Sequence, residues 1–341
     1  MEILLVSGRF RVPVVEGTQK SVMNLANELV EKGHEVSWLT REHDRRPGEL
    51  DEKVELIGTK ITLSNVLKNR SIVKGFDIVN VHTSSPKMAL YWKTAAPKKV
   101  LITWPAFRKW SRTDRIIQHL TDNTAVTNSV ADKLPGKPEI TPYSVDTENY
   151  NASRTPGNKS KLKICFIGKP SSGRGFDHLC KALQKVECEF ELNYALAKNR
   201  GDIEEAENKV EGYGIRDQTE MYHGFVEDLP KYLNDNDVFV NLVESSQGIT
   251  APPILTLEAM SCGRATISSK DPVFRELVKD GENGFLEEYN DYEEIAERLG
   301  ELNENRESIR QIGEEARKTI IEKHSKKVSA DKFEKAYEKR L

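Results

Sequence analysis

No two cysteines of this chain stand close enough together in sequence to suggest a metal knuckle or a redox pair. Cys165, Cys180, Cys188 and Cys262 fall singly in apolar or helical contexts. They read as reduced packing residues, not as ligands or disulfides. No apolar run approaches the roughly 20 residues of a membrane span. The amino terminus, MEILLVSG, has an acidic second residue and no basic leader, so no signal peptide is expected. A strong charge of one sign is missing too: 51 Lys and Arg stand against 54 Asp and Glu, a net charge of −3, which argues against a general nucleic-acid binder. Internal repeats and low-complexity segments are absent. What these absences leave is a chain expected to be soluble and cytoplasmic, peripheral at most at the inner face of the cell membrane.

At 341 residues the chain is long enough for two domains, each with its own core. Residues 1–150 alternate short apolar strands with amphipathic helices. The strands are expected at Ile3–Val6, Glu35–Leu39, Ile78–Val81, Val100–Thr103 and Thr124–Thr127. That βαβ rhythm predicts a parallel sheet with helices on both faces. A helix from about Thr18 to Lys32 carries Val22, Leu25, Ala26 and Leu29 on one face, and Gly33 closes it. The loop before it, with Gly8, Pro13 and Gly17, is either a plain βα turn or a site where backbone amides approach a ligand. The polar segment ASRTPGNKSK, with Pro156 and Gly157, reads as a linker. From Lys161 a new strand begins, so an α/β fold of two domains, 1–155 and 160 onward, is expected.

The richest stretch runs from Asp237 to Leu286. Val238 to Val243 reads as a buried strand, and a Ser-, Gly- and Pro-bearing loop follows it. An apolar helix is expected from about Ile254 to Cys262-Gly263, then a strand at Ala265–Ser268, a short helix near Arg275-Glu276 and a turn at Gly281 to Gly284. Ligands of open parallel sheets bind at the carboxyl ends of strands, where helix N-termini offer unpaired amides to anions. Glu258 lies inside the otherwise apolar helix and needs a polar partner. Earlier, FIGKPSSGRGFDHLCKAL joins a strand, a Gly/Ser loop and a helix, an arrangement that presents amides to phosphate. Lys169 and Arg174 stand five apart on that loop.

The run LEAMSCGRATISS, the following Glu276 and the tail DGENGFL resemble the donor-nucleotide site of GT-B glycosyltransferases of family four. The resemblance implies two Rossmann-like domains with a cleft between them, a retaining mechanism and no metal or other cofactor. It places the donor, a nucleotide diphosphate sugar, on the second domain (160–322), and a terminal helix (323–341) back on the first. It implies that Glu258, beside Leu257, holds the ribose hydroxyls. Lys169, Arg174 and Gly168 are implied at the diphosphate, Gly224 and Phe225 beside the nucleobase, and Gly17 and Thr18 in the glycine-bearing loop of the first domain. In the family a first glutamate falls where this chain has Thr250, and its glycine-rich tract is replaced by Ala251-Pro252-Pro253. Prolines have no N–H, so Glu244, Gln247, Gly248 and Thr250 become the candidates for holding the sugar. His82, at a strand end, is a candidate active-site residue, although a lone histidine there is more often structural. The histidine that the family often carries after the next strand is missing, since Thr103-Trp104-Pro105 stands there. Asp235-Asn236-Asp237 spells a metal motif of another glycosyltransferase fold but reads as a helix end entering a strand.

Between Pro86 and Arg115 eight cations (Lys87, Lys93, Lys98, Lys99, Arg108, Lys109, Arg112, Arg115) face one acid, Asp114. Trp92, Trp104 and Trp110 lie in the same stretch, with Tyr91 and Phe107. That mixture suits an anionic membrane surface or a lipid-linked acceptor, single-stranded nucleic acid less well, or simply a solvated helix face beside core aromatics. Hexose transfer to a lipid-linked or polysaccharide acceptor is the expected activity. A non-catalytic GT-B subunit and a GT-B sugar-nucleotide epimerase are the alternatives.

Overall fold

The computed structural model describes residues 1–8, 12, 14, 16–40, 46–58, 73–106, 109–157, 161–196, 200–245 and 249–341. The chain divides into two compact units. Unit 1 comprises Met1–Asp146, Gln247–Ile254 and Lys323–Leu341, and unit 2 comprises Thr147–Ser246 and Leu255–Glu322.

Unit 1 is built on a parallel sheet of β1 (Glu2–Val6), β2 (Glu35–Thr40), β3 (Glu55–Gly58), β4 (Ile78–His82), β5 (Val100–Trp104), β6 (Asp122–Ala125) and β7 (Glu139–Ile140). Their order is β3-β2-β1-β4-β5-β6-β7, and every pairing is parallel. The central strands are rich in apolar residues because both faces are covered: every residue of β4 and β5 is buried, Asn80, His82 and Thr103 included. Helix α1 (Gly17–Glu31) buries Val22, Leu25, Ala26 and Leu29, and Gly33 behind it takes φ +86°, a left-handed turn that suits glycine. β1, β2, β4 and β5 lie where their apolar runs place them. β6 sits two residues before its expected position, and β3 and β7 had no sequence signal. The terminal helix α2 (Lys326–Glu338) packs on α1. Glu334 accepts from Lys32 (2.9 Å) and meets His34 (2.8 Å), and the Tyr337 hydroxyl donates to Asn80 Oδ1 (2.8 Å).

Unit 2 repeats the plan with β8 (Leu162–Ile167), β9 (Phe190–Leu196), β10 (Thr219–His223), β11 (Val238–Asn241), β12 (Ala265–Ser269) and β13 (Phe285–Glu287). The order β10-β9-β8-β11-β12-β13 is again wholly parallel. In both sheets the order reverses once, between β1 and β4 and between β8 and β11, and such a reversal opens a crevice at the carboxyl ends of the strands. The described residues of the polar stretch read as a linker, 152–157 and 161, belong to unit 2, since the division falls at Asp146–Thr147. Hydrogen bonds explain why. The Tyr150 carbonyl accepts from Ser261 (2.6 Å) and Arg317 (3.0 Å), Arg154 pairs with Asp235 (2.7 Å), and Gly157 N donates to Asp237 (2.7 Å). Asp237 also accepts from Lys163 N (3.0 Å), so Asp235 and Asp237 are structural. Among the described residues no group of three or more acidic, His or Cys side chains could hold a metal ion.

Arg264, almost wholly buried, donates to the carbonyls of Cys262, Asn236 and Arg154, and burial pulls its pKa down to about 10. Glu287, at the end of β13, is 1% exposed, and burial pushes its carboxyl up to about 7 despite a 2.9 Å contact with Arg298. A folded-state value above the unfolded one means the folded protein holds the extra proton. This contribution is therefore fully present below about pH 4.5 and is lost as pH rises through about 7. We expect Glu287→Gln to remove a decline of on the order of 1–3 kcal/mol between those limits. Urea unfolding of both proteins across that range checks it, and parallel curves would refute the assignment.

Candidate functional site

At the reversal in the second sheet, β8 runs into the loop from Gly168 to Gly175 and then into helix α3 (Phe176–Leu183). Gly168 takes φ +152°; its N–H donates to Ala195 and its carbonyl accepts from Tyr194. Ser172–Arg174 forms a short 3-10 turn. Gly175 has φ +75°, and a Cβ there would stand 2.3 Å from Cβ of Leu242, just past β11. Only glycine lets the start of α3 come so close to the neighbouring strand. Lys169 and Arg174 project from this loop and are exposed. Glu244 follows β11, its N–H donating to the Gly173 carbonyl (3.1 Å) and its carboxylate lying over Gly173. Two cations, a carboxylate and a helix N-terminus thus gather at the sheet reversal. The cations and the helix end suit an anionic group.

His178, on the first turn of α3, packs its ring edge-on against Tyr289 at 4.9 Å, and burial lowers its pKa. The helix Ile254–Ser261 carries Leu257 and Glu258. Leu257 is fully buried, so its side chain packs the core, and Glu258 is 2% exposed. Gly263, with φ +69°, ends the helical run. Gly224 (φ +123°) follows β10, and Phe225 beside it is 47% exposed, its carbonyl accepting from Tyr222. An aromatic ring standing in solvent at a strand's carboxyl end offers a stacking surface for a planar base. Glu276 is exposed at the end of the short helix Pro272–Arg275.

Four other candidates belong to unit 1. Gly17 opens α1, and a Cβ there would meet Ile254 at 2.7 Å. Thr18 Oγ1 lies 3.2 Å from Thr250 Oγ1, and Ala251 N donates to the Pro105 carbonyl (2.8 Å). These contacts fix the Thr250 segment on the first sheet's reversal. His82 ends β4 but does not open to solvent. It is stacked on Tyr143 (5.8 Å between centroids) and tilted against Phe333 (5.6 Å), with Nδ1 3.1 Å from the Tyr143 hydroxyl. Burial lowers its pKa to about 3, so the ring is neutral. His82 thus has no face for a substrate in this arrangement. Tyr143, not among the candidates read from the sequence, is the residue that covers this ring, and burial raises its pKa above the ordinary tyrosine value. Gln247 and Gly248 lie outside the described residues.

The basic stretch is corrected in part. Trp92, Trp104 and Trp110 are all buried, with Trp104 and Trp110 edge-to-face at 5.6 Å, so none can reach a bilayer. Lys93 pairs with Asp122 (2.6 Å) and Lys99 donates to the Lys74 and Phe76 carbonyls. Arg108 and Phe107 lie outside the described residues. What does face solvent is helix α4 (Arg112–His119), with Lys109, Arg112 and Arg115 exposed beside Ile116 and Leu120, each 59% exposed. Among the described residues no helix is long and apolar enough to cross a membrane.

Comparison with known proteins agrees with this arrangement. The model of glycosyl transferases group 1 matches residues 149–319 and that of glycosyltransferase family 4 matches residues 15–135. An uncharacterized glycosyltransferase from Haemophilus influenzae is 23% identical over 324 residues, 88% of this chain and 90% of its own. Among solved structures, a glycosyltransferase from Rickettsia africae superposes with a TM-score of 0.81 at 16% identity, over 100% of this chain and 99% of that one. HepE from Anabaena, solved in complex with UDP, does so at 0.82 and 14%, over 99% of this chain and 100% of that one. With two wholly parallel sheets, each reversing its strand order once, and family matches over both units, the chain belongs to the group 1 glycosyltransferases and has the GT-B fold.

Proposed function

We propose that the protein moves a hexose, with retention of configuration, from a nucleotide diphosphate sugar to a lipid-linked or polysaccharide acceptor. The observation that carries this reading is the loop Gly168–Gly175, where exposed Lys169 and Arg174 stand at a helix N-terminus. Cleavage of the bond between anomeric carbon and phosphate oxygen leaves its electron pair on the diphosphate. Two cations and oriented amides stabilise that growing charge, so the step needs no metal. The acceptor oxygen bonds to the anomeric carbon on the face the phosphate leaves, and its proton passes to a phosphate oxygen. In this reading Glu258 takes the ribose hydroxyls, Phe225 lies under the base, and Glu244 holds sugar hydroxyls. HepE, of the same fold, was solved with UDP-glucose, which makes uridine donors the first to try.

Thermal shift with UDP, GDP, ADP and their hexose conjugates tests the donor. A ligand at a hundred times its dissociation constant adds about 2.7 kcal/mol. We expect one nucleotide to stand out, Glu258→Ala to weaken it by about 1.5–3 kcal/mol, and EDTA to leave turnover unchanged. No response to any of them would reject the donor site.

Lys169→Ala and Arg174→Ala should alter stability by within about 0.5 kcal/mol while lowering turnover. Gly175→Ala should instead lower stability by at least about 1 kcal/mol, since it meets both backbone strain and Leu242. Chemical unfolding beside a hydrolysis assay separates the two patterns. Loss of stability in the lysine and arginine variants, with normal turnover per folded molecule, would make those residues structural.

The lipid-linked acceptor draws support from α4, where the exposed Ile116 and Leu120 lie four residues apart beside three exposed cations. An apolar pair flanked by cations suits the plane of an anionic bilayer, each cation contributing about 1 kcal/mol and fading with salt. Flotation should show binding to anionic vesicles, none to neutral ones, and release at high salt. The triple change Lys109→Ser, Arg112→Ser and Arg115→Ser should abolish it with nucleotide affinity intact. Wild-type protein that ignores anionic vesicles at low salt ends the membrane reading.

A further inference from the structure

The loop Gly168–Gly175 of unit 2 is tied at one further point, by a charged side chain. Lys209, on the helix Arg200–Gly212, donates to the Pro170 carbonyl (2.5 Å) and to Asp177 Oδ2 (2.8 Å), and pairs with Glu205 Oε1 (2.8 Å). An ammonium has three protons to donate, and all three are met. Burial works against the charge, but the two carboxylates outweigh it, so the pKa of Lys209 lies above the ordinary lysine value.

The three acceptors belong to different parts of the unit. Glu205 stands one turn away on the same helix and is 46% exposed. Pro170 is buried and follows Lys169 directly, while Asp177 lies on the first turn of α3. One ammonium thus bridges the entry of the loop and the helix the loop leads into. A proline has no N–H, so its carbonyl is the one main-chain group by which Pro170 can be held. Among the described residues neither Lys169 nor Arg174 has a side-chain hydrogen bond or ion pair. Where Lys169 points is therefore decided by the backbone it stands on, and Lys209 grips that backbone one residue further along. The pairing has an electrostatic side as well. A carboxylate on a helix's first turn would oppose an anion brought to the same helix end, and Lys209 balances it.

We propose that Lys209 is a positioning residue for the diphosphate: through the Pro170 carbonyl and Asp177 it holds Lys169 and the start of α3 at a fixed spacing. The proposal deepens the transferase reading and rests on it for the identity of the ligand. Lys209 does not itself touch the ligand, because its protons are taken. In that reading the nucleoside is held by other groups, Glu258 and Phe225, so Lys209 acts on the phosphates alone.

Titration of the nucleoside diphosphate picked out by thermal shift, and of its parent nucleoside, gives the contribution of the phosphates as a ratio of two affinities. We expect that ratio to fall about ten- to a hundredfold in Lys209→Met, with nucleoside affinity within about twofold of wild type. A loss of folded protein lowers both affinities alike and leaves the ratio unchanged; an unchanged ratio overturns the proposal. Glu205→Gln removes only the outward partner and should keep the ratio within about twofold of wild type. A fall as large as that of Lys209→Met would show that the bridge to the loop is not what matters. If Lys209→Met fails to fold, Lys209→Gln, whose shorter stem cannot span both acceptors, takes its place. Amide hydrogen exchange needs no ligand. The Arg174 N–H is bonded to the carbonyl of Ser171 (3.0 Å), the residue after Pro170. It should exchange at least about tenfold faster in Lys209→Met while the amides of β8 keep their rates. Equal protection of Arg174 in the two proteins overturns the proposal. Should neither diphosphate nor nucleoside bind the wild type, the donor reading fails, and the exchange rates still decide whether Lys209 holds the loop.

Discussion

The approach of Gly175 to Leu242 is the constraint on which the second unit's site depends. A Cβ at that position would lie 2.3 Å from Cβ of Leu242, just past β11, and its φ of +75° is one that glycine alone adopts at little cost. Because the chain passes so close, α3 starts directly beside β11, at the sheet's reversal. The first amides of α3, the turn bearing Arg174, and Glu244 are gathered by that one contact. Nothing about Lys169 or Arg174 themselves builds the loop, as both are exposed. Construction falls to glycine, and charge is added to a frame that already exists.

The two sheets share one plan and furnish their reversals differently. In unit 2 the reversal carries cations and helix amides. In unit 1 it carries hydroxyls and a neutral ring: Thr18, Tyr143, Thr250 and a His82 whose pKa burial holds near about 3. Electrostatics suits the first to a diphosphate, whose charge must be balanced. The second suits neutral oxygens, which are recognised by the direction of hydrogen bonds.

Much of this was legible in the sequence because buried parallel strands are continuous apolar runs. β1, β5 and β11 announce themselves in that way, and β2, β4 and β12 do so with polar residues among the apolar ones. β3 (ELIG) and β7 (EI) are edge strands of four and two residues, too short to carry a pattern. β6 was displaced because Ala125 and Val126 draw the eye past Asp122, which pairs with Leu101 in the register. The glycine loop with Lys169 and Arg174 was visible since its parts are consecutive. Tyr143 was not, because its partner His82 lies 61 residues away along the chain. No local spacing encodes such a contact.

The tryptophans show the same limit from the other side. Trp92, Trp104 and Trp110 interleave with cations in sequence, and interleaving alone cannot say which face of a helix or strand each occupies. Helical period decides it for Trp92, which shares the buried face of Pro86–Ala95 with Ala89. Trp104 ends a strand buried along its whole length. Once the rings are assigned to the core, the stretch loses its aromatic anchors and keeps an exposed apolar pair, Ile116 and Leu120. Two aliphatic side chains bury far less area than three tryptophans. Any attachment through α4 therefore leans on Lys109, Arg112 and Arg115, and an attachment that leans on charge is one that salt reverses.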